Sequence, residues 1–379
     1  MKAVIAIDSY KGSLSSIEAG RCTEIGIKNV FPNAKTVVLP IADGGEGTVD
    51  ALCSGLNGVK ERVCVSGPLG DPVFAEYGII QGNTAIIEMS SAAGITLIDA
   101  SRRNPLYTTT YGVGEVIKDA IDKGCRSFII GIGGSATNDG GIGMLQALGF
   151  SMLDENNQNV PRGGIGLSVL SKIDTSTALK ELRECTFKVA CDVTNPLCGK
   201  NGASAIFGPQ KGATPEMVAQ LDTWLENYAE LTDKCLNGAD KNAKGTGAAG
   251  GLGYALCYYL NAELVPGIEL ILNEIKLEEY VKDADIVITG EGRLDTQTAM
   301  GKAPNGVAKI AKKYNVPVIA LGGSVLDDPT TSEGCFIDAC FSIMKAPCSL
   351  EEAMDTNNAS QNLTFTATQI FKLIKSIKQ

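Results

Sequence analysis

The 379-residue chain has no histidine, and this absence excludes whole classes of chemistry. A Ser-His-Asp triad, a phosphohistidine, an imidazole base and histidine metal ligands all drop out. Proton transfer near neutrality therefore falls to carboxylates, lysine, cysteine or tyrosine. No two of the 12 cysteines stand at C-x-x-C spacing, which argues against zinc and dithiol redox sites. Cys22, Cys53 and Cys257 sit in contexts that suit buried thiols. The phosphate-loop pattern G-x-x-x-x-G-K-[ST] is also missing, because Gly199-Lys200 and Gly301-Lys302 both lack the required earlier glycine. The apolar start Ala3–Ile7 is too short for a signal-peptide core, and no run is long and apolar enough to span a membrane. Positive charge is scarce: 33 Lys and Arg against 43 Asp and Glu leave a net −10, so neither nucleic acid nor an anionic membrane is an expected partner. These features point to a reduced, cytoplasmic protein with a small-molecule substrate; a homo-oligomer is left open.

Glycine, by contrast, is abundant at 44 residues of 379, above the usual ~7%. Around the glycine clusters, continuous apolar strands alternate with helices. Lys2–Ile7 leads into Asp8-Ser9-Tyr10-Lys11-Gly12-Ser13, and Ser15 with Glu18 has capping-box spacing for a helix. Thr36–Leu39 ends at Asp43-Gly44-Gly45-Glu46-Gly47; Asp285–Thr289 ends at Gly290-Glu291-Gly292; Pro304 opens a helix, and Val316–Leu321 follows as a strand. This is the grammar of a doubly wound α/β sheet. Residues 62–90 read as short antiparallel strands, Phe128–Gly131 as a buried strand, and 214–238 as an amphipathic helix. The expected architecture is one doubly wound α/β domain built from both termini (1–66 and 282–379), with a mixed α/β domain (67–281) inserted into it and a ligand site in the cleft between them.

Four segments combine glycine with acids, hydroxyls or amides: 43–48, 133–141, 245–251 and 290–295. Successive backbone N–H groups freed by glycine form anion-binding concavities. Asp and Glu in the same loops suit Mg²⁺, which takes a few carboxylates together with phosphate oxygens. Phosphoryl transfer needs both. Each loop also reads as a tight turn with a helix cap. The one G-x-G-x-x-G, Gly245 to Gly250, follows polar residues rather than a strand and so fails the dinucleotide context.

The blocks DSYKGSLSS (8–16), PIADGGEGT (40–48), GIGGSATNDGGIGMLQALG (131–149), ACDVTNPLCG (190–199), FGPQKGA (207–213), GTGAAGGLG (245–253) and ITGEGRLDTQTAMGKAPNGVA (288–308) together resemble the type 1 glycerate kinase family nearly from end to end. The resemblance implies ATP-dependent, Mg²⁺-assisted phosphorylation of D-glycerate to a phosphoglycerate, on a flavodoxin-like domain formed by both termini with a second domain inserted. Glycerate offers a carboxylate and two hydroxyls, so the site needs cations, hydroxyl-orienting groups and a proton acceptor. Asp192, placed after Val189-Ala190-Cys191, is the expected base, with Lys11 and Asp43 as further catalytic groups. Ser13, Glu46, Asn195, Lys211 and Arg293 are the expected substrate contacts. ATP is expected to meet Gly133, Gly134, Ser135, Asn138, Asp139, Gly247, Gly250 and Lys302, although Asn138-Asp139-Gly140 also reads as turn chemistry. Glu291 and Asp295, read as projecting past the strand Asp285–Thr289, are the expected metal ligands. Two rivals remain: a nicotinamide-dependent hydroxy-acid dehydrogenase and a non-enzymatic anion-binding protein.

Overall fold

The computed structural model describes residues 1–296, 298, 302–326 and 328–377. Gln297, Ala299, Met300 and Gly301 of the last motif block lie outside the described residues. The fold is α/β, and the chain divides into two compact units: Met1–Asp43, Asp50–Asn57 and Ile268–Gln379 form the first, Gly44–Val49 and Gly58–Gly267 the second. Residues 58–66 thus belong to the second unit, where 59–66 pair with residues 72–79. Residues 268–281 belong to the first, where Ile268 packs against Gly306.

The first unit is built on a parallel sheet. Its strands are β1 (Lys2–Ile7), β2 (Lys35–Val38), β11 (Ile286–Leu294), β12 (Val318–Val325) and β13 (Ala339–Ser342), in the order β13-β12-β11-β1-β2. Ala3 to Ala6 are wholly enclosed, as expected for a strand covered on both faces. The capping box forms: Ser15 accepts from the Glu18 backbone and the Glu18 side chain from the Ser15 backbone, starting the helix Ser16–Lys28. That helix lies against the C-terminal helix Thr356–Ile377. At Gly26 a Cβ would meet the Ala367 Cβ at 2.6 Å, so only glycine permits this approach.

The sequence reading ended the third strand of this sheet at Thr289, but β11 continues to Leu294, and Glu291 pairs with Gly322 of β12. A Cβ on Gly290 would meet the Leu321 carbonyl at 2.2 Å, and one on Gly323 would meet the Gly292 carbonyl at 2.5 Å. The glycines here let two strands approach closely; they do not form a loop past the sheet.

The second unit holds a mixed sheet. Its strands are β3 (Val59–Ser66), β4 (Pro72–Ile80), β5 (Thr84–Glu88), β6 (Ser127–Gly131), β9 (Thr186–Ala190) and β10 (Glu263–Val265), in the order β10-β9-β6-β5-β4-β3. The pairs β3–β4 and β4–β5 are antiparallel and the others parallel. A small antiparallel pair, β7 (Ser151–Leu153) and β8 (Lys172–Asp174), stands apart. The amphipathic helix spans Pro215–Leu236 with Thr214 as its cap. All 12 cysteines are free; Cys53 is buried, while Cys22 and Cys257 are half-buried rather than enclosed.

Candidate active site

A cavity of about 1100 Å³ opens in the first unit. It is lined by Asp8, Lys11, Ser13, Asp43, Glu291, Arg293 and Lys302 and by the segment 343–354, including Met344, Pro347, Leu350 and Met354. Local structure holds the polar residues in place. The Asp8 N–H donates to the Gly290 carbonyl at 2.9 Å, and the Tyr10 hydroxyl donates to the Leu321 carbonyl at 2.9 Å. Gly12 turns the chain with φ +77°, a conformation that side chains other than glycine rarely take, and the Thr356 hydroxyl donates to the Ser13 carbonyl.

The charges in this cavity are mostly paired. Lys11 lies 3.6 Å from Asp43. Asp295 sits between Arg293 at 3.3 Å and Lys302 at 3.7 Å. Glu291 accepts the Thr298 hydroxyl at 2.8 Å, and burial raises its proton affinity against that bond and the charge of Lys302. Asp8 is 6% exposed, and its Oδ1 accepts the Ser9 N–H at 2.6 Å. Burial first, then the charge of Asp43, pushes its carboxyl to about 7, with Glu291 adding to the rise and Lys11 opposing it. The Ser13 Oγ is buried without a hydrogen-bond partner. Among the described residues, no three carboxylate or thiol side chains are grouped to hold a metal ion.

The second-unit candidates are placed differently. Asp192 is exposed and accepts the Gly267 N–H at 2.9 Å at the start of the helix Gly267–Glu274, an arrangement of a helix cap. The Asn195 amide donates to the Asn201 carbonyl and so braces its own loop. Asp139 is wholly buried; one carboxylate oxygen accepts from the Thr110 N–H at 2.8 Å and the Thr110 hydroxyl at 2.9 Å, the other from the Gly141 N–H at 3.0 Å. Lys211 is 2% exposed, and its ammonium donates to the Ser135 hydroxyl at 2.8 Å and the Thr137 carbonyl at 2.7 Å. Burial pushes its pKa down to about 7, with Asp139 opposing. The Asn138 amide donates to the Ser204 hydroxyl.

Gly247 and Gly250 are buried, and a Cβ on either would strike a backbone carbonyl, of Pro196 or Thr137, at 2.1 Å. Glycine at these positions permits close packing of backbone on backbone. Gly133, Gly134 and Glu46 are exposed.

Residues 3–375 match the sequence profile described as the Glycerate kinase family. The chain belongs to the glycerate kinase family. It is a kinase, and its reaction is the ATP-dependent phosphorylation of glycerate. It is 49% identical to the glycerate kinase of Bacillus subtilis over 379 residues, covering 100% of this chain and 99% of that one. It is 48% identical to the glycerate 2-kinase of Escherichia coli, covering 97% and 98%. A crystal structure ascribed to glycerate kinase 2 of Salmonella typhimurium LT2 superposes with a TM-score of 0.92 at 49% identity, covering 100% of this chain and 99% of that one. Among the described residues no helix is long and apolar enough to cross a membrane.

Two parts of the cavity were missed in the sequence. Asp8 opens the first motif block at the end of a buried strand, and the rule applied to Glu291 would also have found it. The wall 343–354 carries no motif; it is a cavity wall only because folding brings it beside Gly12 and Ser13.

Proposed function

We propose that the cavity of the first unit binds ATP and is where its γ-phosphoryl group is passed to glycerate. The observation that carries this reading is the cavity's lining, which combines charged residues with an apolar segment. Its size of about 1100 Å³ exceeds what a three-carbon acid fills and matches the upper range of small-molecule pockets, roughly 300–1,000 Å³. The wall of Met344, Pro347, Leu350 and Met354 offers an apolar face for adenine. Lys11, Arg293 and Lys302 supply positive charge for phosphates and for the glycerate carboxylate, where the guanidinium can bind two oxygens at once. Lys302 also caps the helix Ala303–Lys312, whose N-terminus adds to that potential. The unpartnered Ser13 Oγ suits a substrate hydroxyl.

The donor set bears on magnesium. Mg²⁺ keeps most of its shell as water and phosphate and needs only one or two carboxylates. The residues present fit an ion carried in with the nucleotide and do not fit a protein-only cage. Glu291 would hold it, and its chemistry there would be to neutralise charge on the phosphates. Asp295, spanned by Arg293 and Lys302, serves instead to orient those cations. The strand order, β2-β1-β11-β12-β13, supports a flavodoxin-like first domain, whose ordinary order is 2-1-3-4-5. The free cysteines support a cytoplasmic location, and the Escherichia coli relative's name supports the 2-hydroxyl as acceptor.

Steady-state kinetics test the nucleotide assignment. Glu291→Gln lowers kcat/KM for ATP by tens to about a thousandfold and shifts its Mg²⁺ dependence, while the KM for glycerate changes little. Loss of glycerate affinity with unaltered Mg²⁺ dependence makes this a substrate contact and refutes the assignment.

A further inference from the structure

We propose that Asp8 is the general base that takes the proton of the attacking glycerate hydroxyl. This rests on the kinase reading above and deepens it. Asp8 is the first residue past β1, and β1 lies between β2 and β11 in the sheet. The chain runs from β1 to β2 on one side and returns to β11 on the other, so the end of β1 borders the point where strand order reverses. Open α/β sheets bind ligands at that point. The Asp8 N–H bond to the Gly290 carbonyl and the Ser9 N–H bond to Oδ1 hold backbone and carboxylate in place. The side chain lines the cavity although it is 6% exposed.

The other carboxylates are already committed. Asp43 is paired with Lys11, Glu291 takes the Thr298 hydroxyl, Asp295 lies between two cations, and Asp192 is an exposed cap. Asp8 is faced by Asp43 from the loop after β2, by Glu291 from β11 and by Lys11 from its own loop, with Arg293, Lys302 and Lys345 also on the cavity lining. A carboxylate fixed at the end of a central strand and bordering the cavity is placed to meet a substrate hydroxyl bound there.

In the transfer, the glycerate hydroxyl oxygen forms a bond to the γ-phosphorus while the bond from that phosphorus to the bridging oxygen breaks. The electron pair of the broken bond stays on ADP. The hydroxyl proton passes to Asp8 Oδ2 and leaves to solvent after product release, which resets the carboxylate.

The test is coupled ADP release by wild type, Asp8→Asn and Asp8→Glu, with kcat and both KM values followed against pH. Asp8→Asn is expected to lose on the order of 10²–10⁴-fold in kcat with both KM values within a few fold, and Asp8→Glu to recover part of it. The wild-type pH profile is expected to carry an acid limb that is absent from Asp8→Asn. An Asp8→Asn enzyme with near-wild-type kcat overturns the proposal alone. A wild type that releases no ADP with glycerate overturns the kinase reading and the proposal together. Should Asp8→Asn not fold, Asp8→Glu decides: a full wild-type kcat in that variant, whose carboxylate is displaced by one methylene, overturns it.

Discussion

Two regions of this protein are composed alike and behave as opposites. Around Asp8 in the first unit and around Asp139 in the second, aspartate, lysine, a hydroxyl residue and glycine stand close together. In the first, Lys11 is well exposed, its Asp43 partner is 39% exposed, and both border a cavity. In the second, Lys211 and Asp139 are buried and spend their hydrogen-bonding capacity on neighbouring backbone and hydroxyl groups. Composition therefore does not separate a ligand site from a polar core; what separates them is whether partner groups inside the fold have already used the side chain's bonds. A buried acid with several donors is a fastening, whereas a buried acid with one donor and two acids nearby is available for proton transfer.

The sharpest way to break this contrast is Asp139→Ala. It strands the donors of Thr110 and Gly141, and breaking such a network costs about 3–5 kcal/mol. Chemical denaturation should show that loss, with the second unit the first to melt. A variant of normal stability and low activity would return Asp139 to the ligand-binding residues.

Next in size is the pH-dependent effect of Asp8→Asn on stability. The folded-state pKa of Asp8 is raised to about 7 from an ordinary 3.8, so the folded form favours the protonated acid. Wild-type stability from this group is complete below pH 3.8 and is lost as pH rises to about 7. Asn, which cannot ionise, should therefore be more stable than wild type at pH 8, by on the order of 3 kcal/mol. The gap should shrink as pH falls toward 4; thermal unfolding at both pH values would reveal a constant gap, which would sink the expectation.

Lys211→Met should show the opposite slope. The folded-state pKa is lowered from 10.5 to about 7, so the folded form favours the neutral amine, and wild type loses stability as pH falls from 10.5 to 7. Methionine removes that slope but leaves the Ser135 and Thr137 partners unmet, about 1–3 kcal/mol. Urea unfolding should find the variant's deficit larger at pH 10 than at pH 7; equal deficits would show that the lysine is not desolvated. The smallest effect is expected for Lys11→Met, since an exposed ion pair contributes about 0.2–1 kcal/mol. Stability should hardly change while turnover falls, and unchanged turnover would remove Lys11 from the site.

Much of the first unit was legible because its strands are continuous apolar runs: Ala3–Ile7 and Ile286–Thr289 can be little else. The continuation of β11 through Glu291 was not legible, since Gly290-Glu291-Gly292 looks like a loop until Gly322 and Gly323 are set opposite. The structural partners of Asp192, Gly247 and Gly250 were not legible for a related reason. A cap to Gly267 and carbonyls at 2.1 Å are contacts with residues distant in sequence or in neighbouring loops, and no local pattern announces them.

Residue order alone decided the chemistry that is possible here: without histidine, proton transfer falls to carboxylates, lysine, cysteine or tyrosine, and the ordered motif blocks specify membership of the glycerate kinase family. It also decided most strands and helices, because apolar periodicity and capping are properties of short segments. Tertiary structure decided which charges remain available. Desolvation and hydrogen bonding depend on what surrounds a side chain in space, and only folding puts Asp43 and Glu291 near Asp8 while it surrounds Asp139 with the N–H groups of Thr110 and Gly141.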